Sequence, residues 1–316
     1  MSHPKVLVIS RPLASDVLSL FDELRSEIDL RVVDKDQPID AHLPETEVLY
    51  GALSPEQFSQ ARRLRWVQHP STGVDNMLFE AFVRSDVVLT SMGGAFTETV
   101  ADHAMALLLA IVRRLHVSRD RQHEKQWRMV WPDDLAGMTL GIIGFGRIGR
   151  AVAERAAAFG MDILALDLCP ADPPPPVRRV DPLDRLDSFL AECRAIVCAL
   201  PRTGETRGLL GREQFAAMPD GAYVVNIGRG GAMDETALVE ALRAGKLAAA
   251  GIDVTEQEPC PPDSPLWSEP GVLLTPHSAG FSRSLDRRRM QWFVENLKRY
   301  LRDEPLEGVV DKARGW

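Results

Sequence analysis

One 30-residue stretch, Met138 to Asp167, limits what this chain can fold into more than any other. It reads M-T-L-G-I-I-G-F-G-R-I-G-R, then a helical run, then D-I-L-A-L-D. Thr139 to Ile143 is an apolar, strand-like run that passes straight into Gly144-Phe145-Gly146-Arg147-Ile148-Gly149, a G-x-G-x-x-G turn. Ile148, Val152, Ala156 and Phe159 then recur at helical spacing, and Gly160 stops the helix. Ile163 to Leu166 predicts a second strand, ending at Asp167. Strand, glycine turn, helix, strand and acid is the order of a nucleotide-binding βαβ unit.

Each part has a physical task. Gly144 permits the tight turn, Gly146 lets backbone approach a pyrophosphate, and Gly149 lets the helix pack close to the strand. The helix N-terminus offers N–H groups to the phosphates. Asp167, 18 residues after Gly149, is placed to accept hydrogen bonds from an adenosine ribose, and its charge repels a 2′-phosphate. No Arg follows at once in Leu168-Cys169-Pro170, so NAD is expected over NADP, a preference moderated by Arg178 and Arg179.

A length of 316 residues suits two domains, and 45% apolar with 26% charged residues matches a soluble globular protein. The net charge of −8 argues against nucleic acid or an anionic membrane as the main partner, and Arg287-Arg288-Arg289 reads as one solvated helix face. Cys169, Cys193, Cys198 and Cys260 form no C-x-x-C pair and no Cys/His grouping, which predicts reduced thiols and no metal site. The N-terminus lacks a signal pattern and no stretch reads as long enough to cross a bilayer, so the cytoplasm is the expected location.

Before the glycine turn, Lys5 to Ser10 reads as a strand and Ser15 to Arg25 as a helix. Strands are expected near Leu30 to Val33, Val48 to Gly51, Trp66 to Gln68 and Val87 to Thr90, which makes the first hundred residues an α/β domain of their own. Thr97 to Arg119 predicts the longest helix. After the turn, Pro173 to Pro176 reads as a stiff surface loop, and strands are expected at Ala195 to Ala199, Ala222 to Asn226, Ala249 to Ile252 and Val272 to Leu274. Helices are expected near Gly211 to Met218, at Asp234 to Ala244 with Asp234 as N-cap and Gly245 as C′ residue, and at Ser282 to Leu301. The fold class is α/β: two Rossmann-like or flavodoxin-like domains with parallel sheets. Residues 1–97 and 285–316 form the substrate domain, and the nucleotide domain, residues 98–284, is inserted into it.

In open α/β sheets ligands sit beyond the carboxyl ends of the strands, so polar groups just after strands matter most. Three such loops stand out: Asn226-Ile227-Gly228-Arg229-Gly230-Gly231, Asp253 to Pro259, and Thr275-Pro276-His277-Ser278-Ala279-Gly280. Glycines flanking Arg229 leave room for a small anion, and the guanidinium fork suits a carboxylate or a carbonyl oxygen under reduction. His277 supplies an imidazole, the side-chain type best suited to serve as general acid or base at neutral pH. Glu258 is able to bond to that imidazole and stabilise its cation.

These motifs resemble the D-isomer-specific 2-hydroxyacid dehydrogenase family along essentially the whole chain. Asn226 to Glu235 is similar to N-x-x-R-G-x-x-V-D-E with Met233 for Val, Gly251 to Pro259 to a segment ending D-V-F-x-x-E-P, and Thr275-Pro276-His277 to T-P-H. Leu64 to Asn76 resembles the family's substrate loop and Val100-Ala101-Asp102-His103 its V-A-E-H. The resemblance implies that Arg229 holds the substrate, His277 is the acid or base and Glu258 its partner. It further implies that Ser71, Thr72, Gly73 and Val74 bind substrate, the Gly73 and Val74 amides taking its carboxylate. Cofactor contacts are implied for Arg147 and Ile148 at the pyrophosphate, for Leu200 and Pro201 on the adenine side, and for Asp253 at the nicotinamide amide. Thr206, Ile227, Gly228, Arg229, His277, Ala279 and Gly280 complete the implied cofactor set. A homodimer acting on a small 2-oxo or 2-hydroxy acid is the implied assembly, with glyoxylate or hydroxypyruvate favoured by the resemblance of Ser264 to Trp267 and of the Trp127 region to reductases of those acids. Thr255, Asp102 and Ser278 depart from the family pattern without removing a catalytic group. The competing class is an NAD(H)-sensing binding protein of the same fold, like the family's co-repressors; a formate dehydrogenase-like activity is disfavoured by Glu258, where that relative carries Gln. Trp127 and Trp131-Pro132 lie where aromatic side chains either cap a pocket, Trp131 limiting substrate size, or pack an interface.

Overall fold

The computed structural model describes residues 5–10, 15–34 and 39–315. They form two compact units, residues 1–96 with 282–316, and residues 97–281. The first division falls inside the helix Gly93–Val112.

The first unit is a five-stranded sheet built from β1 (Lys5–Ser10), β2 (Asp29–Asp34), β3 (Val48–Tyr50), β4 (Trp66–Gln68) and β5 (Val88–Thr90). Its order is β2-β1-β3-β4-β5 with every pairing parallel, the flavodoxin-like arrangement. The C-terminal helix Leu285–Leu301 belongs to this unit, and its Phe293 packs against Phe21, Tyr50 and Trp66 at ring separations of 6.1, 5.1 and 5.6 Å. Each such fully buried large side chain contributes roughly 1.5–3 kcal/mol. Asn296 of the same helix is buried and donates to Gln68 Oε1 at 3.1 Å. The expected helix over residues 15–25 is instead one α turn, Ser15–Leu18, followed by a 3₁₀ run, Ser19–Leu24. Phe21 and Leu24 are the buried residues there, and their three-residue spacing is the one that a 3₁₀ turn stacks on one side. Arg287, Arg288 and Arg289 do not share one solvated face, since successive helical residues point about 100° apart. Arg287 reaches Asp16 in solvent, whereas Arg289 lies over the Phe96 ring at 4.9 Å.

The second unit is a seven-stranded parallel sheet: β6 (Thr139–Ile143), β7 (Asp162–Asp167), β8 (Val177–Pro182), β9 (Ala195–Cys198), β10 (Ala222–Asn226), β11 (Leu247–Ile252) and β12 (Val272–Leu274). The order β12-β11-β10-β9-β6-β7-β8 reverses direction at β6, so the chain leaves that strand at a topological switch point. β6, β9 and β10 are buried almost throughout, as strands covered on both faces must be. Asp234 caps the helix Glu235–Arg243 by accepting from the Ala237 amide, and Gly245 follows it at φ +72°. Burial pushes the Cys193 thiol up to about 12 and the Cys198 thiol up to about 11.

Three expectations are corrected here. β8 was not anticipated, because prolines flank and end it and Arg178-Arg179 interrupts its apolar pattern. It is an edge strand, where proline and ion-paired arginines are tolerated: Arg178 pairs with Asp162, and Arg179 with Asp181 and Glu192. The long helix stops at Val112 and a second one, Leu115–His123, follows Arg114 in the left-handed region at φ 54°. The Asp133 amide satisfies the Val112 carbonyl and Arg113 bonds to Asp133 O and Asp134, so the break is held from outside the helix. Finally, Gly93–Val112 is, at 20 residues, long and apolar enough to span a bilayer, contrary to the sequence expectation, although over half of its apolar stretch is buried in the fold. One reason is close packing: a Cβ on Gly251 of β11 would lie 2.9 Å from Leu107 Cβ.

Candidate active site

The glycine turn leaves β6 at the switch point. Gly144 is left-handed at φ +97°, a Cβ on Gly149 would meet Gly144 O at 2.2 Å, and one on Gly146 would enter open space at the start of the helix Arg147–Ala158. A backbone free of side chains at a helix N-terminus fits a dinucleotide pyrophosphate. Asp167, ending β7, accepts from Phe145 N at 2.6 Å through Oδ2 and from Cys169 N at 2.9 Å through Oδ1. Each carboxylate oxygen has a second lone pair, so ribose hydroxyls remain acceptable partners. Arg178 and Arg179 are engaged in the β8 ion pairs. Thr206 is buried and donates its hydroxyl to Pro201 O at 2.7 Å, closing the loop after Leu200.

The three chemical loops follow β10, β11 and β12, which are adjacent in the sheet. After β10, buried Asn226 accepts from Gly228 N and donates to Arg229 O, which shapes the turn that presents Arg229. The sequence suggests that the flanking glycines leave room for an anion, and the packing around them corrects that expectation. A Cβ on Gly228 would meet Leu200 O at 2.7 Å, and one on Gly230 would meet Thr255 O at 1.9 Å. Neighbouring backbone fills that space, so glycine is required there by loop packing. Gly230→Ala is expected to destabilise the protein by about 1–3 kcal/mol through this overlap, read by denaturant unfolding.

After β11 comes Asp253, whose side chain is only 1% exposed. Its Oδ1 accepts from Thr275 Oγ1 at 2.6 Å and Ser278 N at 2.9 Å, and its Oδ2 from Ala279 N at 3.0 Å. Burial opposes its ionisation, but hydrogen bonds from His103, Thr275 and the Ala279 and Ser278 amides outweigh burial and lower its pKa to about 2. Glu258 accepts from Thr255 N through Oε1 at 3.2 Å, and its Oε2 lies 2.7 Å from His277 Nδ1. A carboxylate only accepts, so Nδ1 carries the proton of that bond and Nε2 is left to face a reactant. The His277 side chain is half exposed, and its backbone is left-handed at φ 49°.

In the first unit, Ser71 to Val74 follows β4 and buried His69. Burial lowers the His69 pKa, so its ring is neutral, and Nδ1 accepts from Ser71 N at 3.2 Å. The Met92 amide holds Ser71 O. The Gly73 and Val74 amides donate to no other group among the described residues, as an anion-binding turn requires.

Residues 105–279 match the family described as D-isomer specific 2-hydroxyacid dehydrogenase, NAD binding domain. A glyoxylate reductase of Korarchaeum cryptofilum is 39% identical over 282 residues, covering 84% of this chain and 81% of the relative. The chain belongs to the D-isomer-specific 2-hydroxyacid dehydrogenase family. The enzyme is thus an oxidoreductase acting on a CH–OH group. A D-3-phosphoglycerate dehydrogenase of Archaeoglobus fulgidus is 32% identical over 313 residues, 97% of this chain but 59% of that longer protein. Among solved structures, a D-isomer specific 2-hydroxyacid dehydrogenase of Xanthobacter autotrophicus Py2, in complex with NADPH and MES, superposes with a TM-score of 0.83 at 30% identity, over 98% of this chain and 99% of that one. Two groups of the candidate site escape sequence reading. His103 lies 3.0 Å from Thr275 Oγ1 although 172 residues separate them, and Thr275 was noted only as part of T-P-H. The V-A-D-H motif marked His103, but nothing in the sequence joins it to Asp253 or Thr275.

Proposed function

We propose that this enzyme reduces a small 2-oxo acid, glyoxylate or hydroxypyruvate, with NADH, and oxidises the D-2-hydroxy acid in reverse. The observation that carries the reading is the 2.7 Å bond between Glu258 and His277 Nδ1, which leaves Nε2 of a half-exposed imidazole as the proton donor. The 39% identity to a glyoxylate reductase supports the choice of substrate. When bound, the nicotinamide ring supplies or receives the hydride. His277 Nε2 gives its proton to the carbonyl oxygen during reduction and takes it back during oxidation, while Glu258 keeps Nδ1 protonated and stabilises the imidazolium. Arg229 binds the substrate carboxylate and stabilises the negative charge that develops on the carbonyl oxygen. Following NADH absorbance while 2-oxo acids are varied tests the reading.

For the cofactor, we favour NAD because the Asp167 carboxylate ends β7 where a ribose 2′-phosphate would meet its charge. Asp167→Ala is expected to reduce the NADH-over-NADPH ratio of kcat/KM by about tenfold or more. An unchanged ratio would show that Asp167 does not set selectivity.

We further propose a homodimer. Trp127, Met129 and Trp131 are 103%, 78% and 81% exposed within five residues of irregular chain, an apolar group suited to cover by a second copy. Sedimentation should show a dimer and Trp131→Glu should shift it towards monomer; a monomeric wild type rejects the assignment. Whether Trp131 also bounds the substrate is read separately, since Trp131→Ala would then change the preference between glyoxylate and bulkier acids.

A further inference from the structure

Three successive amides at His277 are held by Asp253, and Thr275 O also accepts from His277 N at 3.0 Å. His277 N donates to Asp253 O at 2.8 Å, and the two following amides, Ser278 N and Ala279 N, donate to the two Asp253 carboxylate oxygens. A non-glycine residue at φ 49° persists only where its surroundings enforce that conformation, so whatever fixes Asp253 also fixes His277.

Asp253 is in turn fixed from the helix Gly93–Val112. The Thr275 hydroxyl has one hydrogen, and its 2.6 Å contact with an ionised carboxylate uses it. His103 Nε2, 3.0 Å from the same hydroxyl oxygen, therefore faces a lone pair and must be the donor. The same nitrogen lies 3.4 Å from Asp253 Oδ1, so one N–H addresses both oxygens. The ring must carry its proton on Nε2, a tautomer set by the network.

We propose that His103 is a positioning residue: its Nε2–H orients Thr275 and the Asp253 carboxylate, and through them holds His277 in its reactive placement. The inference rests on the reading of His277 as the proton donor. Loss of the donor removes the partner of a half-buried hydroxyl lone pair and allows Thr275 to turn away from Asp253. The loop carrying His277 then loses its restraint, although no group that touches substrate has been removed.

The test combines spectroscopy with kinetics. In protein labelled with ¹⁵N-histidine, the resonances assigned to His103 by their absence in His103→Gln should show a protonated Nε2. An unprotonated Nε2 overturns the proposal. His103→Leu should lower kcat about tenfold or more with KM for NADH within about threefold of wild type, the signature of a displaced proton donor. His103→Gln keeps an N–H near the Nε2 position and should recover kcat to within about threefold of wild type. Wild-type kcat in folded His103→Leu, or no recovery in folded His103→Gln, overturns it. Should His103→Leu fail to fold, the Gln variant and the tautomer still decide. His277→Asn separates the two layers: an active His277→Asn removes the underlying reading, whereas an inactive one beside a fully active His103→Leu removes only the role of His103.

Discussion

Replacing His277 with Asn is expected to lower kcat by about 10²–10⁴-fold, the range for loss of a positioned general acid, while NADH binds with near wild-type affinity. Asn retains a polar side chain of modest size, so the loop has little reason to collapse. The amide group does not give up a proton to an alkoxide at neutral pH. The restraint on the loop comes from backbone amides on Asp253 and is untouched by the substitution. Stopped-flow hydride transfer and a fluorescence titration with NADH separate the two quantities. Turnover within a few-fold of wild type would show that another group delivers the proton.

The second large effect is expected at Arg229. Arg229→Gln should reduce kcat/KM for the 2-oxo acid by about 10³-fold, since it removes a charged donor from both the carboxylate and the developing oxyanion. KM should rise and kcat should fall together, because the carboxylate contact acts in the ground state and the oxyanion contact chiefly in the transition state. The turn itself should survive, as Asn226 bonds to the Arg229 carbonyl and the Gly228 amide rather than to the guanidinium. Arg229→Lys keeps the charge without the planar fork and should recover only part of the loss. A rise in KM with unchanged kcat would confine Arg229 to binding.

What the sequence made legible follows from local physics. The strands buried on both faces, such as Leu140 to Ile143 and Ala222 to Asn226, are continuous apolar runs, and the glycine turn, Asp234 cap and Gly245 stop are local devices readable in a few residues. The edge strand Val177–Pro182 was hidden because solvent on one side lets it carry arginines and proline. The helix break at Arg114 was hidden because its cause, Asp133 and Asp134, lies 20 residues further on. In the proposed site, Arg229, Glu258 and His277 are readable as candidates because each lies in a loop that follows a recognisable strand. Their supports are not, since Gly230 against Thr255 and His103 against Thr275 are contacts made only when separate βα loops meet at one end of the sheet.

Turnover is the most direct measure of the proposed function. Purified protein should oxidise NADH when mixed with glyoxylate or hydroxypyruvate, faster than with bulkier 2-oxo acids and faster than with NADPH, and the product should be the D-2-hydroxy acid where it is chiral. Tight NADH binding with no oxidation across the panel would contradict it, and would leave a nucleotide-sensing protein built on a dehydrogenase fold.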